Sequence, residues 1–383
     1  MENNKVRNFL LASLFLCLTS SLYAEDFQSY QQQARQNFTN YKKHINNSFL
    51  AYKHAQERAL KEFKKELKVN WKTPQFSTKY KWVEYSKDLQ NRKSIDYKNH
   101  IMHFEVHAKN KTDAMKKFSS MFHNTLNEDV RTANKKDLLE HKIAKILHKK
   151  VRPVNSSKKL IVQNIDKRDL KKIKYEFKIK NVRSYTYRKK NVYTINIPLP
   201  NRLMAKNAMR FQKEIARSAT KEKIPISLVY AIIHSESAFN PMARSRVPAF
   251  GLMQIVPRTA GLDAYYYLYG YKKLLSSSYL YSPNKNIRIG AAYLHIIYYK
   301  YLRNIKNRQS RIYCTIAAYN TGSGNVARAF GYRRNISAAI RKINTMTSNA
   351  VYNTLLLNLP YSETKHYLKV VNKRRYMYQK IFI

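Results

Sequence analysis

The chain has 383 residues, 44% hydrophobic and 13% aromatic, enough for a packed core and, at roughly 150 residues per domain, for two or three domains. Its 7 Gly and 10 Pro argue against collagen-like, Gly-linker and Gly/Pro-turned all-β architectures and favour helix. Lys and Arg number 73 against 23 Asp and Glu, and the formal charge of +50 draws a polyanion: nucleic acid, anionic lipid or a carboxylate-bearing cell wall. Abundant Lys, Asn, Ile and Tyr also fit an AT-rich genome, so the charge supports an anionic partner without choosing one.

Residues 1–24 read as a Sec-type export signal to the periplasm. Lys5 and Arg7 precede an apolar stretch at residues 9–18, too short for the roughly 20 residues of a bilayer span, and Ala24 offers a small residue at a cleavage site. Cys17 raises a lipidation reading, and with it peripheral or lipid-mediated association with the outer membrane. Against it, Leu16 stands where a lipobox needs a small residue. Cys314 lies in the apolar stretch Ile312-Tyr313-Cys314-Thr315-Ile316-Ala317 and reads as a buried, inert thiol.

Residues 25–200 read as an α+β domain. Leu60, Phe63 and Leu67 recur at helical spacing within residues 54–68. Alternation then predicts strands: Tyr80, Trp82 and Glu84 against Lys81, Val83 and Tyr85, then Met102, Phe104, Val106 and Ala108 against His103, Glu105 and His107. Thr112 is the expected cap of a helix carrying Met115, Phe118, Phe122 and Leu126, and a second helix is expected over residues 134–149, ended by Pro153. Strands are expected again at Leu160-Ile161-Val162, over 175–179 and over 185–197. His100, His103 and His107 suggest a metal cluster only at a glance. His100 falls off the strand face that His103 and His107 share, and no Cys is near, so they read as surface histidines. Pro198 and Pro200 close the domain. Residues 201–383 are helical almost throughout, read as a separate domain, and are expected to fold alone and keep some activity.

Ser227 is the expected cap of a helix in which Leu228, Ile232, Glu236 and Phe239 lie on one stripe. A carboxyl on an apolar stripe has its charged form disfavoured, which suits a general acid near neutral pH. A Glu bonded to a neighbouring Arg fits the spacing equally well. The other carboxylates after residue 200 are Glu214, Glu222, Asp263 and Glu363, and none of them shares such a stripe. Glycosidases normally use two carboxylates. A sugar-cleaving domain here would work with one.

Two further segments follow. In Gly251-Leu252-Met253-Gln254, Gly251 permits a tight backbone approach, Met253 is a flexible apolar surface and Gln254 both donates and accepts. In Ala317-Ala318-Tyr319-Asn320-Thr321-Gly322, a helix ends with a ring and an amide suited to a sugar groove. A core Met, a buried Tyr and a Gly cap explain each segment as well.

Together and in order, Glu236-Ser237, Phe239-Asn240-Pro241, Gly251-Leu252-Met253-Gln254, Asn286-Ile287-Arg288-Ile289-Gly290-Ala291-Ala292-Tyr293-Leu294, Ala318-Tyr319-Asn320 and Glu363-Thr364-Lys365-His366-Tyr367 resemble the soluble-lytic-transglycosylase catalytic domain, a goose-lysozyme-like fold. Ile343-Asn344-Thr345-Met346-Thr347 and the tail Tyr367-Leu368-Lys369-Val370 look like the membrane-bound C-type subgroup of lytic murein transglycosylases, whose N-terminal domain residues 25–200 match in position and α+β pattern. Thr321 stands where the family usually has Ala, and Pro248 where a small residue is common.

The resemblance implies a mostly α-helical lysozyme-like catalytic domain after the α+β domain. It implies a carbon–oxygen lyase that cleaves the β-1,4 bond between N-acetylmuramic acid and N-acetylglucosamine and leaves 1,6-anhydromuramyl ends. Glu236 would be the catalytic acid and base, and Tyr367 would hydrogen-bond near the muramyl acetamido group. Ser237, Met253, Gln254, Tyr319 and Asn320 would shape the substrate groove. No metal or cofactor is implied, and the partner would be peptidoglycan rather than nucleic acid. The rivals are a lysozyme-type hydrolase on the same fold and a non-catalytic peptidoglycan-binding protein.

Overall fold

The structure is a computed structural model that describes residues 2–160 and 167–381, without the side chains of 2–28, 172, 174, 179 and 201–204. The first helix, α1, runs Glu2–Leu67. The side chains of the export-signal reading and of Cys17 lie outside the described residues, as do Ile161 and Val162 of one expected strand. No helix among the described residues is long and apolar enough to cross a membrane. Two compact units divide the chain, Met1–Tyr52 and Lys53–Ile383. The second holds the sheet and the helices after it.

Its first part is a five-stranded antiparallel sheet, β1 (Lys81–Tyr85), β2 (Asn91–Asp96), β3 (Ile101–His107), β4 (Arg183–Tyr187) and β5 (Lys190–Pro198), in the order β1-β2-β3-β5-β4. The register places Trp82 beside Ile95, Ile95 beside Met102 and Met102 beside Ile197, an apolar row across the sheet. Phe104 and Val106 continue that face, fully buried, and α2 (Lys111–Asn127) packs on it. On the other face Arg92 pairs with Glu105 and lies over the Trp71 ring, 4.5 Å from its centroid.

Several sequence expectations are corrected here. Strand β2 was not expected, because Arg92, Lys93 and Ser94 look like a solvated loop. All three are buried. Lys93 meets Glu128 at 2.5 Å and Glu84 at 3.0 Å. Burial lifts the Glu84 carboxyl to about 7. Burial also opposes ionisation of Glu128, but Lys93 and Lys136 outweigh it and hold that carboxyl below its ordinary value. Helix α2 is capped by Asn110, which accepts from the Asp113 N–H, and not by Thr112. The expected helix over 134–149 is two helices, α3 (Val130–Lys136) and α4 (Leu138–Ile146), because the extended Asp137 interrupts them and caps the second. Its end precedes Pro153.

The expected strand over 175–179 is the end of helix α5 (Lys167–Glu176) followed by a short turn of 3₁₀ helix at Ile179–Asn181. Leu170, Ile173 and Phe177 keep a spacing of three and four that underlies the alternation of Tyr175 and Phe177, and the Phe177 ring packs against Phe122 at 4.8 Å. The long run over 185–197 is the hairpin β4–β5. Arg188 and Lys189 turn it with φ of 48° and 62°, a two-residue loop that normally advertises itself with Asn-Gly.

The rest is helical: α6 (Asn201–Met209), α7 (Gln212–Lys221), α8 (Ile226–Ser237), α9 (Leu262–Tyr269), α10 (Ser277–Leu280), α11 (Pro283–His295), α12 (Arg308–Thr321), α13 (Ser323–Ala329), α14 (Ile336–Ile343), α15 (Ser348–Asn358) and α16 (Ser362–Ile381). Helix α8 is central and packs against α7 and α16. The seam with the sheet region is polar and buried. Arg244 meets Asp137 at 2.9 Å and Glu140 at 2.6 Å, Ser277 donates to Glu140, and an Arg210 guanidinium N–H donates to the Lys159 carbonyl. Such contacts cross the boundary that the sequence suggests near residue 201.

Candidate active site

Helix α8 starts at Pro225, with no side-chain cap, and Ser227 lies inside its first turn. Its residues 228–233 are all buried, and Leu228, Ile232 and Glu236 share the expected stripe, whereas Phe239, the expected fourth member, lies past the end of the helix. The helix stops because Ala238 and Phe239 both turn left-handed, at φ 49° and 66°. That places the Glu236 carboxyl, only 5% exposed, at the end of a buried helix.

The segment after it is a tight turn. Phe250 and Ile255 exchange backbone hydrogen bonds at 3.1 Å each, closing the loop 251–254. Gly251 sits at φ +73°, and a Cβ there would collide with the Leu280 carbonyl and the Asn286 amide. Asn286 of α11 holds the turn from inside: its amide donates to the Phe250 carbonyl at 2.8 Å and the Leu280 carbonyl at 2.9 Å, and its oxygen accepts from the Met253 N–H at 2.8 Å. Ser237, fully buried, donates to the Leu252 carbonyl at 2.8 Å and so joins α8 to this turn. Met253 is fully buried, and its sulfur fills the space beside Gly290 that a Cβ would occupy. Gln254, at φ 48°, donates to the Gly251 carbonyl at 3.0 Å, while its side-chain oxygen is buried with no hydrogen-bond partner.

The two remaining sides come from α12 and α16. Tyr319, half-buried near the end of α12, donates its hydroxyl to the Met253 carbonyl at 2.8 Å. Asn320 accepts from the Thr364 hydroxyl at 2.7 Å, which fixes the start of α16. One turn further, Tyr367 is buried beside Glu236 with its hydroxyl unsatisfied by any fixed hydrogen bond. Burial raises the Glu236 pKa above its ordinary value, outweighing the opposing pull of Lys79 and of the Tyr367 hydroxyl. Burial, reinforced by the charge of Glu236, holds both Tyr319 and Tyr367 well above the phenol range, so both remain proton donors.

The structure therefore places Glu236, Tyr367 and Tyr319 together. Gln254 lies on the turn with a spare acceptor. Ser237, Met253 and Asn320 hold the surrounding backbone through the bonds above. Sequence reasoning missed two contributors. Asn286 lay inside a quoted motif, but nothing in its pattern revealed three bonds to one turn. Lys79, from the segment between α1 and β1, brings its ammonium to 3.8 Å from the Glu236 carboxylate and 3.9 Å from Glu363.

Beside the acid a cavity of about 220 Å³ is lined by Lys79, Lys98, His100, His366 and Arg374, with Glu363 as its carboxylate. His234 borders it and is pushed down to about 3, first by burial and then by Arg374 and His100. The reading of surface histidines is corrected at His107, which is buried against the Trp71 ring and contacts the Asn70 carbonyl at 3.0 Å, while His103 is partly exposed and bonds Asn196. Among the described residues no group of three His, Cys, Asp or Glu could hold a metal ion. Burial pushes the Cys314 thiol up to about 12, which leaves it inert.

Residues 213–342 match the model of the Transglycosylase SLT domain. Over 189 residues the chain is 39% identical to the membrane-bound lytic murein transglycosylase C of Serratia proteamaculans, 49% of this chain and 52% of that protein. Over 182 residues it is 41% identical to the protein of the same name from Yersinia pestis, 48% of this chain and 50% of that one. The chain thus spans about half the length of these curated relatives. Among solved structures, an inactive mutant of the lytic transglycosylase Slt of Pseudomonas aeruginosa is 29% identical, covering 47% of this chain and 25% of that chain with a TM-score of 0.36. The 70 kDa soluble lytic transglycosylase of Escherichia coli is 17% identical over 71% and 45%, with a TM-score of 0.35. The resemblance carried by the motifs from Glu236 to Asn320 thus falls within the stretch that matches this model, while Glu363 to Tyr367 lie beyond it.

Proposed function

We propose that this chain is an exported peptidoglycan lytic transglycosylase with a lysozyme-like catalytic domain. The observation that carries the reading is the setting of Glu236, a buried carboxyl held toward its protonated form between two tyrosines. The other carboxylate near it, Glu363, is 79% exposed and paired with Lys79, unlike a second catalytic group in an enclosed site.

Protonated Glu236 donates to the glycosidic oxygen between N-acetylmuramic acid and N-acetylglucosamine. The muramyl acetamido oxygen attacks C1 as the leaving alcohol departs, which replaces the second carboxylate of ordinary glycosidases. Ionised Glu236 then takes the proton of the muramyl C6 hydroxyl. That oxygen closes on C1, expels the acetamido group and yields a 1,6-anhydro end, so no water is consumed. The Tyr367 hydroxyl, beside the Glu236 carboxyl, donates to the acetamido group as charge moves there. Gln254 offers its unpaired oxygen to a substrate N–H or O–H, and Tyr319 walls the groove. The cationic cavity beside the acid suits the carboxylates of the glycan's stem peptides. The reaction remodels the periplasmic wall, with association at the outer membrane peripheral or lipid-mediated.

The test is clearance of isolated sacculi by the full chain and by its Glu236→Gln form. Clearance by the first and not by the second is expected. Equal clearance by both would reject Glu236 as the acid, and clearance by neither would reject the enzyme.

A further inference from the structure

We propose that Lys79 is a positioning residue of the Glu236 site: its ammonium bridges the Glu236 and Glu363 carboxylates and brings the sheet region into a site otherwise built by the SLT segment and α16. The inference rests on the reading of Glu236 as acid and base, and concerns the second of those tasks.

The segment bearing Lys79 is fixed to the end of α8 by bonds on both sides of it. The Tyr80 hydroxyl donates to the Ser235 carbonyl at 2.7 Å, one residue before the acid. The Asn240 amide donates to the Lys79 carbonyl at 3.2 Å, and the Arg244 N–H to the Thr78 carbonyl at 3.4 Å. Backbone held this way delivers the lysine to one place. Its ammonium stands 3.8 Å from Glu236 and 3.9 Å from Glu363, with the side chain about one third exposed.

The chemistry needs that cation. Burial alone favours the protonated carboxyl, which serves the first step and hinders the second, where Glu236 must stand ionised and then accept a proton. The groups facing it do not supply a positive charge. Tyr319, Tyr367 and Tyr80 are neutral, with burial raising all three, and Glu363 is negative. Arg374 of α16 is drawn to the Ser235 hydroxyl at 2.9 Å. Lys79 stands near enough to stabilise the carboxylate, and too far to replace the proton that the neutral acid must donate. Glu363 shares the same ammonium at 3.9 Å.

The test reads the carboxyl itself. The full chain is labelled with ¹³C at its glutamate carboxyls, Glu236 is assigned by the signal missing in Glu236→Gln, and the signal is titrated. An opposite charge at this range lowers a carboxyl pKa by 1–3 units, and exposure of the lysine puts the effect at the low end, about one unit. Lys79→Met should therefore raise the Glu236 midpoint by about one pH unit, and Lys79→Arg, which keeps the charge, should restore most of the shift. The alkaline limb of kcat/KM should move upward with the midpoint. An unchanged midpoint in folded Lys79→Met would overturn the proposal. A midpoint that moves while the alkaline limb stays fixed would leave Lys79 in place and reject Glu236 as the acid.

Discussion

Helix α8 buries Leu228, Val229, Tyr230, Ala231, Ile232 and Ile233 around one carboxyl, whereas strand β2 buries Arg92, Lys93 and Ser94 in succession. In the sheet region the charges of β2 have close partners of opposite sign: Arg92 has Glu105, and Lys93 has Glu84 and Glu128. In the helical region Glu236 is left with a cation only at 3.8 Å. A contact partner opposes the cost of burying a charge and ties structure together: Lys93 and Lys136 hold the Glu128 carboxyl low, and burial still lifts Glu84, which shares Lys93. A buried carboxyl without one drifts toward its neutral form and can give its proton away. On the proposed function, the same burial serves architecture in one region and chemistry in the other.

The largest effect expected from breaking that contrast is at Glu236 itself. Glu236→Gln keeps the shape and loses the proton, so activity on peptidoglycan should fall about 10²–10⁴-fold, read by product formation from purified sacculi. Stability should move the other way. The folded pKa of Glu236 is raised, so the wild-type fold loses stability as pH rises from the unfolded carboxyl pKa through the folded one. The variant escapes that loss. Urea unfolding should show equal stability in acid and a more stable variant at neutral pH.

Next comes the seam between the regions. Arg244→Ala leaves Asp137 and Glu140 buried beside each other without their cation, and should cost about 3–5 kcal/mol in urea unfolding. A loss under about 1 kcal/mol would show that the regions are joined mainly by other contacts. The same bonds bear on the fragment 201–383, which lacks Asp137, Glu140 and Lys79. It should melt below the full chain and turn over sacculi more slowly.

Within the helical region, Gly251→Ala forces a side chain into a left-handed position against two fixed groups and should cost about 2–4 kcal/mol in the same assay. The smallest effect is at Tyr367→Phe, which removes one hydroxyl and no proton transfer. Activity should fall about tenfold, the worth of one hydrogen bond, with little change in unfolding midpoint.

The contrast between α8 and β2 also explains what was legible. The stripe of Leu228, Ile232 and Glu236 could be read because its neighbours are apolar and its period is that of a helix, but the period did not show that the helix stops before Phe239. Gly251 announced the turn because no other residue fits there. Strand β2 was invisible because Arg92 and Lys93 are buried on its two opposite faces, and their partners lie 13 and 35 residues away in sequence. The helix α5 hid behind an alternation that a spacing of three and four also satisfies. Lys79 could not be found at all from sequence, since only the fold brings it more than 150 residues along the chain to Glu236. The bonds that hold a local motif are written near it, and those that complete a site across regions are not.

The most direct test of the account is the mass of the products released when the full chain digests sacculi in water. The single-carboxylate mechanism predicts muropeptides ending in 1,6-anhydromuramic acid, each lighter by one water than its hydrolysed counterpart and lacking a reducing end. Reducing, hydrated muropeptides as the first products would contradict it and make the enzyme a hydrolase.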